Sequence, residues 1–341
     1  MSNHNGTVRL ALPSKGQLGD STLLFLQACG LNVNKTNPRQ YAATIPAMPE
    51  VQIIFQRSAD IPYTVSKGDM DLGITGIDTL EEHALEKDSN IIVLHEALGY
   101  GGCSLVLAVP MNWPVENARD LSIYASERGG LRVATKFPNL TTKFLAECGV
   151  EPIKVVLASG ALEAMPAIGS ADLISDLTAT GTTLRDNQLR TLDDGIILQS
   201  EACLVANPDA LRQKPHVQSV ARRLLERFEG HLQAIGRYLV FANMRGENPE
   251  SVAARLLSQP GLGGLTGPTI APIYSHQPSE AGHWFSVSIV VNGSKLYEAI
   301  SQLRSIGASG VVVTPITYIF DEYPERCQRL DTFITGEKTA Q

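Results

Sequence analysis

Threonine and glycine crowd a short stretch that follows an acidic residue in the middle of the chain. Asp176 comes at the end of a predicted buried strand over residues 171–175, and a second carboxylate, Glu163, precedes that strand. A helix is predicted from Leu184. The loop between Asp176 and this helix contains Thr178, Ala179, Thr180, Gly181, Thr182 and Thr183. Free backbone N–H groups at such a strand–loop–helix junction, together with hydroxyl donors, favour the binding of a phosphate.

A second interpretation of this loop needs no ligand. Thr182 or Thr183 could cap the following helix, with Asp186 in its first turn, and threonine before a helix is common. Asp176 favours the phosphate interpretation, because a capped helix does not need a carboxylate at the end of the preceding strand. A phosphorylated sugar needs both groups, since the loop binds its phosphate and the carboxylate binds its ribose hydroxyls.

Two basic residues follow predicted strands in the first part of the chain. Lys15 and Gly16 lie in the turn after a strand over residues 7–12, and Arg57 follows a strand over residues 51–55. Ligands of open α/β sheets bind where strands turn into helices, so both cations are candidates for phosphate binding. A solvent-exposed loop lysine is the alternative for Lys15.

The composition disfavours several classes of partner. The chain has 341 residues, of which 43% are hydrophobic and 18% charged, and this is enough for two or three domains. No apolar run approaches the ~20 residues of a membrane span, and a net charge of −7 disfavours nucleic acid and anionic membranes. Local positive charge must therefore bind any anionic substrate.

The cysteines and the start of the chain favour a cytoplasmic protein. The five cysteines are scattered without a metal-binding spacing, which is typical of reduced thiols. The polar first residues lead directly into a predicted strand, unlike a signal peptide or a transit peptide. A transit sequence that has already been removed is compatible with the same start.

The order of predicted elements divides the chain into three parts. Strands and helices alternate in residues 1–100 and 101–194, which predicts two α/β lobes with mainly parallel sheets. Strands over residues 196–198 and 202–206 are predicted to return to the first lobe, which then includes residues 195–235. Residues 236–341 follow a β-α-β-β-α-β order, the ferredoxin-like pattern of an α+β domain. Ligands are expected between the two lobes.

Helix caps are predicted for the first lobe from polar residues before apolar runs. The helix after Lys15 is predicted to begin at a cap formed by Asp20 or Ser21, and Asp78 is predicted to cap the helix after a strand over residues 71–76.

Several of these segments resemble the ATP phosphoribosyltransferase family, and the resemblance extends over about residues 7–322. The most specific part comprises residues 160–163 and 171–184, around Asp176 and its threonine loop. Supporting segments are residues 13–16, 56–62, 71–76, 101–103, 132–135 and 201–204. Residues 267–272 and 307–312 resemble the regulatory domain of the long form of the family.

The resemblance implies a specific reaction, fold and assembly. ATP would react with 5-phosphoribosyl 1-pyrophosphate in the presence of Mg²⁺ to give N1-(5-phosphoribosyl)-ATP and pyrophosphate, the first step of histidine biosynthesis. The catalytic part would have two lobes like a type II periplasmic binding protein, and the third, ACT-like domain would bind L-histidine as a feedback inhibitor. A homohexamer built from dimers is implied. Mg²⁺ is expected on the pyrophosphate oxygens, with no direct protein ligand.

The resemblance also assigns roles to the candidate residues. Asp176 and the loop from Thr178 to Thr183 would bind phosphoribosyl pyrophosphate, while Lys15 and Arg57 would meet pyrophosphate and the phosphates of ATP. Catalytic roles are expected for Asp176, Glu163, Lys15 and Arg57. The residues expected to bind ATP are Lys15, Gly16, Arg57, Gly73 and Glu163. No general base is assigned, because a neutral adenine nitrogen can attack without one.

The predicted histidine site differs from the family pattern at one position. Thr269, Ala308 and Ser309 match positions near bound histidine in similar proteins. Those proteins carry an acidic residue soon after the strand that contains Tyr238, whereas this chain has Asn243. Inhibition by histidine is therefore a hypothesis in which Asn243 replaces an acidic contact to the amine.

Two alternative functions are open to a chain with this pattern. A non-catalytic solute- or effector-binding protein can use the same two-lobed fold, but it would need no carboxylate beside a phosphate loop. A phosphoribosyltransferase acting on free bases would carry two adjacent acids before the loop, whereas Ser175 precedes Asp176 here.

Overall fold

The computed structural model describes residues 6–35, 37, 40–85, 89–158, 160–274 and 283–336. The polar first residues, 1–5, lie outside this part. The chain forms two compact units, one made of Met1–Leu225 with Glu325–Gln341 and the other of Glu226–Pro324. Among the described helices, none combines the length and the apolar character that crossing a membrane requires.

Strands and helices alternate through most of the first unit. In chain order, its strands are β1 (Val8–Pro13), β2 (Ala42–Ile45), β3 (Met48–Gln56), β4 (Leu72–Gly76), β5 (Ile92–His95), β6 (Cys103–Pro110), β7 (Leu131–Thr135), β8 (Ile153–Leu157), β9 (Leu173–Thr178), β10 (Leu189–Ser200) and β11 (Ala202–Ala206). Its helices begin with α1 (Gly16–Ala28), α2 (Ile61–Ser66), α3 (Ile77–Ala84), α4 (Ala118–Arg128), α5 (Pro138–Glu147), α6 (Thr182–Asp186) and α7 (Pro208–Gln213). Helix α8 (Pro215–Ala234) then leads into the second unit.

The first sheet has the strand order β2-β3-β1-β4-β11-β5. Strand β1 runs parallel to both β3 and β4, whereas β11 runs antiparallel to β4 and β5. Because β1 and β3 are parallel neighbours, their carboxyl ends meet at one edge. Lys15 and Arg57, which follow these strands, therefore come to the same side of the sheet.

The second sheet has the strand order β10-β6-β9-β7-β8. Strand β7 runs parallel to β8 and β9, while β6 runs antiparallel to β9. Apolar clusters cover both faces, since Leu107 and Val109 of β6 are buried in one cluster and Val106 and Ala108 in another. Burial on both faces is typical of a sheet covered by helices.

The sequence wrongly assigned residues 196–198 to the first lobe. These residues belong to β10, which pairs with β6 in the second sheet as far as Ser200. Only β11 returns to the first sheet, so the second sheet continues beyond the predicted boundary at residue 194. A short apolar run predicts a strand but does not reveal which sheet provides its partner.

Both predicted helix caps in the first lobe are also wrong. Helix α1 begins directly after Lys15, because Gly16 adopts a positive φ of 74° that turns the chain at once. Helix α3 has Gly76 as its N-cap, and Asp78 lies in the first turn. The Asp78 carboxylate is buried and accepts a hydrogen bond from Ser200 Oγ at 2.5 Å.

The second unit contains the predicted β-α-β-β-α-β order. Its elements after α8 are β12 (Arg237–Gly246), α9 (Pro249–Leu257), β13 (Thr269–Ile273), β14 (His283–Asn292), α10 (Leu296–Ser305) and β15 (Ser309–Pro315). All pairings in the sheet are antiparallel, in the order β13-β14-β12-β15. This arrangement confirms the ferredoxin-like prediction, with both helices supplying buried residues to one apolar core.

The last helix does not belong to this second unit. Helix α11 (Glu325–Thr335) is part of the first unit, where Cys327 and Leu330 are buried and Arg326 pairs with Glu96. The prediction that the third domain continues to the end of the chain is therefore wrong for this helix. No helix was predicted over these residues, and an amphipathic pattern alone does not identify the surface that buries a helix.

Candidate active site

Asp176 lies near the carboxyl end of the central strand of the second sheet, next to a lysine that was not predicted from the sequence. The strand continues past Ser175 to Thr178, so Asp176 is inside β9 rather than after it. Its Oδ1 accepts a hydrogen bond from the backbone N of Leu177 at 2.8 Å and lies 3.3 Å from Nζ of Lys136. The Asp176 side chain is 19% exposed and that of Lys136 is 43% exposed, so this ion pair opens to solvent on its lysine side.

Strand pairing explains why these two residues meet. Thr135 is paired with Ser175 in the parallel ladder of β7 and β9. The next residues, Lys136 and Asp176, therefore lie side by side where this pairing ends. Lys136 thus follows a parallel strand in the same way as Lys15 and Arg57 do. Its position directly after a strand could have identified Lys136, had the order of the neighbouring strands been known.

The threonine loop is held by its own hydrogen bonds. Thr178 Oγ1 accepts from the backbone N of Gly181 at 2.8 Å, and the Oγ1 atoms of Thr180 and Thr182 are 3.0 Å apart. Arg185 Nη2 donates to Thr182 Oγ1 at 3.1 Å. These contacts fix the loop, while Ala179, Thr180, Thr182 and Thr183 remain exposed to a ligand.

The capping interpretation of the loop is wrong in detail. Gly181 is the N-cap of α6, with a φ of 71°, and no side chain caps this helix. Thr182 is already the first helical residue, so neither it nor Thr183 acts as the cap. A left-handed residue at this position explains the glycine.

Glu163 is positioned on the same side of the second sheet as the loop. It lies in a single 3₁₀ turn, Leu162–Ala164, and is half-buried. Leu162, next to Glu163, and Leu184, next to Thr183, are buried in one apolar cluster with Ile174 of β9. The cluster therefore holds both the Glu163 turn and the start of α6 against the sheet.

A cavity of about 600 Å³ lies beside the loop and is lined from both sheets. Ala179 and Ser104 line it from the second sheet, and Ile77 and Glu96 line it from segments that follow β4 and β5. Partial burial raises the pKa of Glu96, but hydrogen bonding to Arg326 and the charges of Arg326 and Arg329 outweigh burial and lower the pKa to about 2. Glu96 is therefore an anion held in place by the last helix.

Lys15 and Arg57 line a separate cavity of about 540 Å³ at the first sheet. The backbone N of Ser14 donates to the carbonyl of Gln56 at 2.7 Å, which ties together the two turns that carry these cations. Both side chains belong to exposed residues. Their charges can therefore meet an anionic ligand from solvent.

Comparisons with known proteins identify the family. The ATP phosphoribosyltransferase family model, HisG, matches residues 57–230, and the HisG C-terminal domain model matches residues 234–318. The chain is 44% identical to ATP phosphoribosyltransferase 1, chloroplastic, from Arabidopsis thaliana over 329 residues, covering 95% of this chain and 80% of the relative. It is 38% identical to ATP phosphoribosyltransferase from Halorubrum lacusprofundi over 318 residues, covering 91% and 98%. The chain belongs to the ATP phosphoribosyltransferase family.

A solved structure agrees with this assignment. The ATP phosphoribosyl transferase (HisG:HisZ) complex from Thermotoga maritima contains a chain 27% identical to this one, with a TM-score of 0.51. The match covers 65% of this chain and 99% of that chain. The protein is thus a pentosyltransferase that joins ATP and phosphoribosyl pyrophosphate in the first step of histidine biosynthesis. The non-catalytic binding-protein alternative is not favoured.

The two glycines predicted to bind ATP in this ATP phosphoribosyltransferase lie in different surroundings. Gly73 is buried in β4, where an added Cβ would lie 2.7 Å from Cγ2 of Ile61 and 3.1 Å from Cγ2 of Val65. Helix α2 therefore covers the side of Gly73 on which a side chain would lie, and the contact of this residue with ATP stays a prediction. Gly16, by contrast, is exposed at the first turn of α1, next to Lys15.

The predicted histidine residues are only partly brought together within one chain. Asn243 of β12 is paired with Ser309 of β15, and Ser309 Oγ donates to the carbonyl of Asn243 at 3.4 Å. Ala308 is buried, with 9% of its surface exposed. Thr269 lies in β13, which β14 separates from β12. Asn243 and Ser309 thus form a pair, whereas Thr269 lies elsewhere on the sheet.

Proposed function

We propose that the second sheet of this ATP phosphoribosyltransferase binds phosphoribosyl pyrophosphate and that the first sheet binds the phosphates of ATP. The observation that carries the proposal is the Asp176–Lys136 pair beside a threonine loop held by its own hydrogen bonds. The exposed loop residues bind the 5-phosphate through hydroxyl and backbone donors. Asp176 binds the ribose hydroxyls and is held in orientation by Lys136 and by the backbone N of Leu177.

The chemistry requires charge stabilisation more than proton transfer. Adenine N1 attacks C1 of the ribose as pyrophosphate leaves, and positive charge develops on the ribose. The Asp176 carboxylate stabilises this charge, and the ammonium of Lys136 meets the negative charge of the departing pyrophosphate. Glu163 contributes a second carboxylate on the same side of the sheet. Orienting two anionic substrates provides the remaining rate enhancement.

Mg²⁺ enters in this proposal as part of the substrate. Mg²⁺ prefers phosphate oxygens and water to all-protein ligand sets, so it is carried by pyrophosphate.

Lys15 and Arg57 bind the triphosphate of ATP, with Gly16 beside them. Their common cavity and exposure support this role. The overall charge of −7 makes such local cations necessary, because the rest of the protein repels a polyanion on average.

Regulation, assembly and location complete the proposal. L-histidine inhibits through the second unit, with Asn243 and Ser309 as its first contacts. Phe241 and Val312, on neighbouring strands of the face opposite the core, are 38% and 59% exposed, which supports contacts between subunits. A homohexamer in the cytoplasm is proposed from the family resemblance. Titration of L-histidine into the intact protein, with Asn243→Ala for comparison, tests the site; no binding by the wild type would contradict it.

A mixing assay tests the catalytic proposal. The purified protein is combined with ATP, phosphoribosyl pyrophosphate and Mg²⁺, pyrophosphatase is added to pull the reaction forward, and the altered adenine absorbance is followed. Product should require both substrates and should nearly disappear in Asp176→Asn. Near-normal turnover in that variant would contradict the role of Asp176.

A further inference from the structure

A carboxylate from the first lobe is bound at the start of a helix of the second lobe. Glu82 lies in α3, which follows β4 of the first sheet, whereas α5 follows β7 of the second sheet. Glu82 Oε1 accepts from the backbone N of Asn139 at 2.8 Å, and Oε2 accepts from the backbone N of Leu140 at 2.9 Å. The Asn139 side-chain amide also donates to the Glu82 carbonyl at 3.4 Å.

Helix α5 has no capping side chain of its own. Its N-cap is Phe137, whose side chain has no acceptor, and Pro138 begins the helix. The first backbone N–H groups of a helix need acceptors, and the helix dipole favours a negative charge there. Glu82 satisfies both needs from another lobe, with one oxygen for each of two N–H groups.

Helix α3 makes a second contact with the far end of β10. Asp78 precedes Glu82 by one helical turn and therefore lies on the same face of α3. The buried Asp78 accepts from Ser200 Oγ at 2.5 Å, and its backbone N donates to the same oxygen at 3.0 Å. One face of α3 thus contacts second-sheet elements at two points.

The segment that Glu82 binds also carries the cation of the active site. Lys136 lies between β7 and α5, immediately before the turn that Glu82 holds, and it pairs with Asp176. Thr141 of α5 donates through Oγ1 to Ser175 Oγ at 2.9 Å, next to Asp176 in β9. The first turns of α5 therefore connect Glu82 to the Asp176–Lys136 pair from both sides.

We infer that Glu82 is a positioning residue that fixes Lys136 and Asp176 for phosphoribosyl pyrophosphate by bridging the two lobes. The inference rests on the proposed role of Asp176 and Lys136. Loss of the carboxylate releases the first turn of α5, and Lys136 then samples positions away from Asp176. Binding of phosphoribosyl pyrophosphate weakens, whereas binding of ATP at Lys15 and Arg57 does not.

The test compares Glu82→Gln, Glu82→Ala and the control Glu81→Gln in the full-length protein. Glu81 is an exposed neighbour on the same helix, so its substitution makes the same charge change without touching α5. The dissociation constant for Mg²⁺–phosphoribosyl pyrophosphate should rise about tenfold in Glu82→Ala, less in Glu82→Gln, and not in the control. The KM for ATP should change less than twofold in all three.

Hydrogen exchange followed by mass spectrometry supplies a readout that does not depend on activity. Protection of the Asn139 and Leu140 amides should fall in both Glu82 variants and remain in Glu81→Gln. Lost protection with unchanged phosphoribosyl pyrophosphate binding would show that Glu82 only caps α5 and would overturn the inference, as would unchanged protection. If Glu82→Ala does not fold, Glu82→Gln alone decides. Failure of the wild type to bind phosphoribosyl pyrophosphate would instead contradict the proposed function, whatever the exchange result.

Discussion

The two sheets of the first unit present charge differently at the edges where their parallel strands end. At the second sheet, Asp176 is already paired with Lys136 and the threonine loop is closed by internal hydrogen bonds. At the first sheet, Lys15 and Arg57 are exposed, and within the ranges that the structure describes neither has an ion-pair partner. The second sheet thus has its ion pair and loop hydrogen bonds formed before a ligand binds. The first sheet instead presents two cations that a polyanion would neutralise.

This difference suggests a division of labour between the sheets. A preorganised site costs little reorganisation at the moment of reaction, which suits the edge where charge develops on the ribose. Exposed cations contribute binding energy and orientation, which suits the triphosphate of the attacking nucleotide. The following changes test that division, from the largest expected effect to the smallest.

Asp176→Asn should have the largest effect. Removing the charge takes away the stabilisation of the ribose cation and the partner of Lys136, so kcat should fall by about 10²–10³-fold. Steady-state kinetics measures the loss, and circular dichroism checks the fold. Asp186→Asn is the matched control, because Asp186 is an exposed acid in α6. An equal fall in kcat in Asp186→Asn would show that the effect does not depend on the Asp176–Lys136 pair.

Arg57→Ala and Lys15→Ala should each raise the KM for ATP by about 10- to 100-fold, the range expected for a lost hydrogen bond to a charged group. The melting temperature should remain near that of the wild type, because neither exposed side chain supports the fold. Lys143→Ala, which removes an exposed cation from α5, is the control. If the ATP KM responds equally to all three, net charge rather than this edge governs ATP binding.

Gly73→Ala separates packing from ligand binding at the first sheet. The added methyl group would press on Ile61 and Val65, so the free energy of unfolding should fall by about 1–3 kcal/mol. The KM for ATP of the folded fraction should stay unchanged. Gly160→Ala is the control for urea denaturation, because no atom of the residues that the structure describes lies within 4 Å of a Cβ built there. A raised KM for ATP with an unchanged free energy of unfolding would indicate that Gly73 contacts ATP.

As the pH falls, the free energy of unfolding should decrease through His95 at the first sheet before it decreases through Asp172 at the second. Burial, with a contribution from the charge of Arg326, lowers the pKa of His95 in β5 from 6.5 to about 4. As the pH falls from 6.5 to 4, the unfolded chain binds a proton at this histidine and the folded chain does not. The free energy of unfolding therefore falls, by at most about 1.4 kcal/mol per pH unit for one group.

A second group provides the contrast. The hydrogen bond from Arg132 lowers the pKa of Asp172 at the second sheet, so its contribution to stability is lost only below the ordinary carboxyl value of 3.8. His95→Gln should flatten the pH dependence between 6.5 and 4, as measured by urea denaturation. Asp172→Asn should lower stability throughout this range but leave the slope unchanged. The reverse pattern would refute this assignment of the two groups.

The sequence points to candidate residues that lie within one segment, but not to those that meet through a neighbouring strand. Asp176, Glu163 and the threonine loop are predicted from one segment, and their roles in binding and catalysis stay predictions. Lys136 could not, because its role depends on β7 lying beside β9 in a register that pairs Thr135 with Ser175.

The same reasoning explains the errors in the fold. The β-α-β-β-α-β order of the second unit could be predicted because turn residues separate its elements clearly. The partner of β10 and the surface that buries α11 depend on long-range packing, for which a short apolar pattern has no information. The packing of α2 over Gly73 could not be predicted, because a glycine near a strand is compatible with both a ligand and an overlying helix.

Calorimetric titration with two separate ligands tests the central claim most directly. Ribose 5-phosphate carries the groups that the second sheet should bind and lacks pyrophosphate, while ATP carries the triphosphate that the first sheet should bind. Thr180→Val should weaken ribose 5-phosphate several-fold, by about the value of one hydrogen bond, and spare ATP, whereas Arg57→Ala should do the opposite. If each substitution weakens both ligands equally, the two edges do not divide the substrates between them.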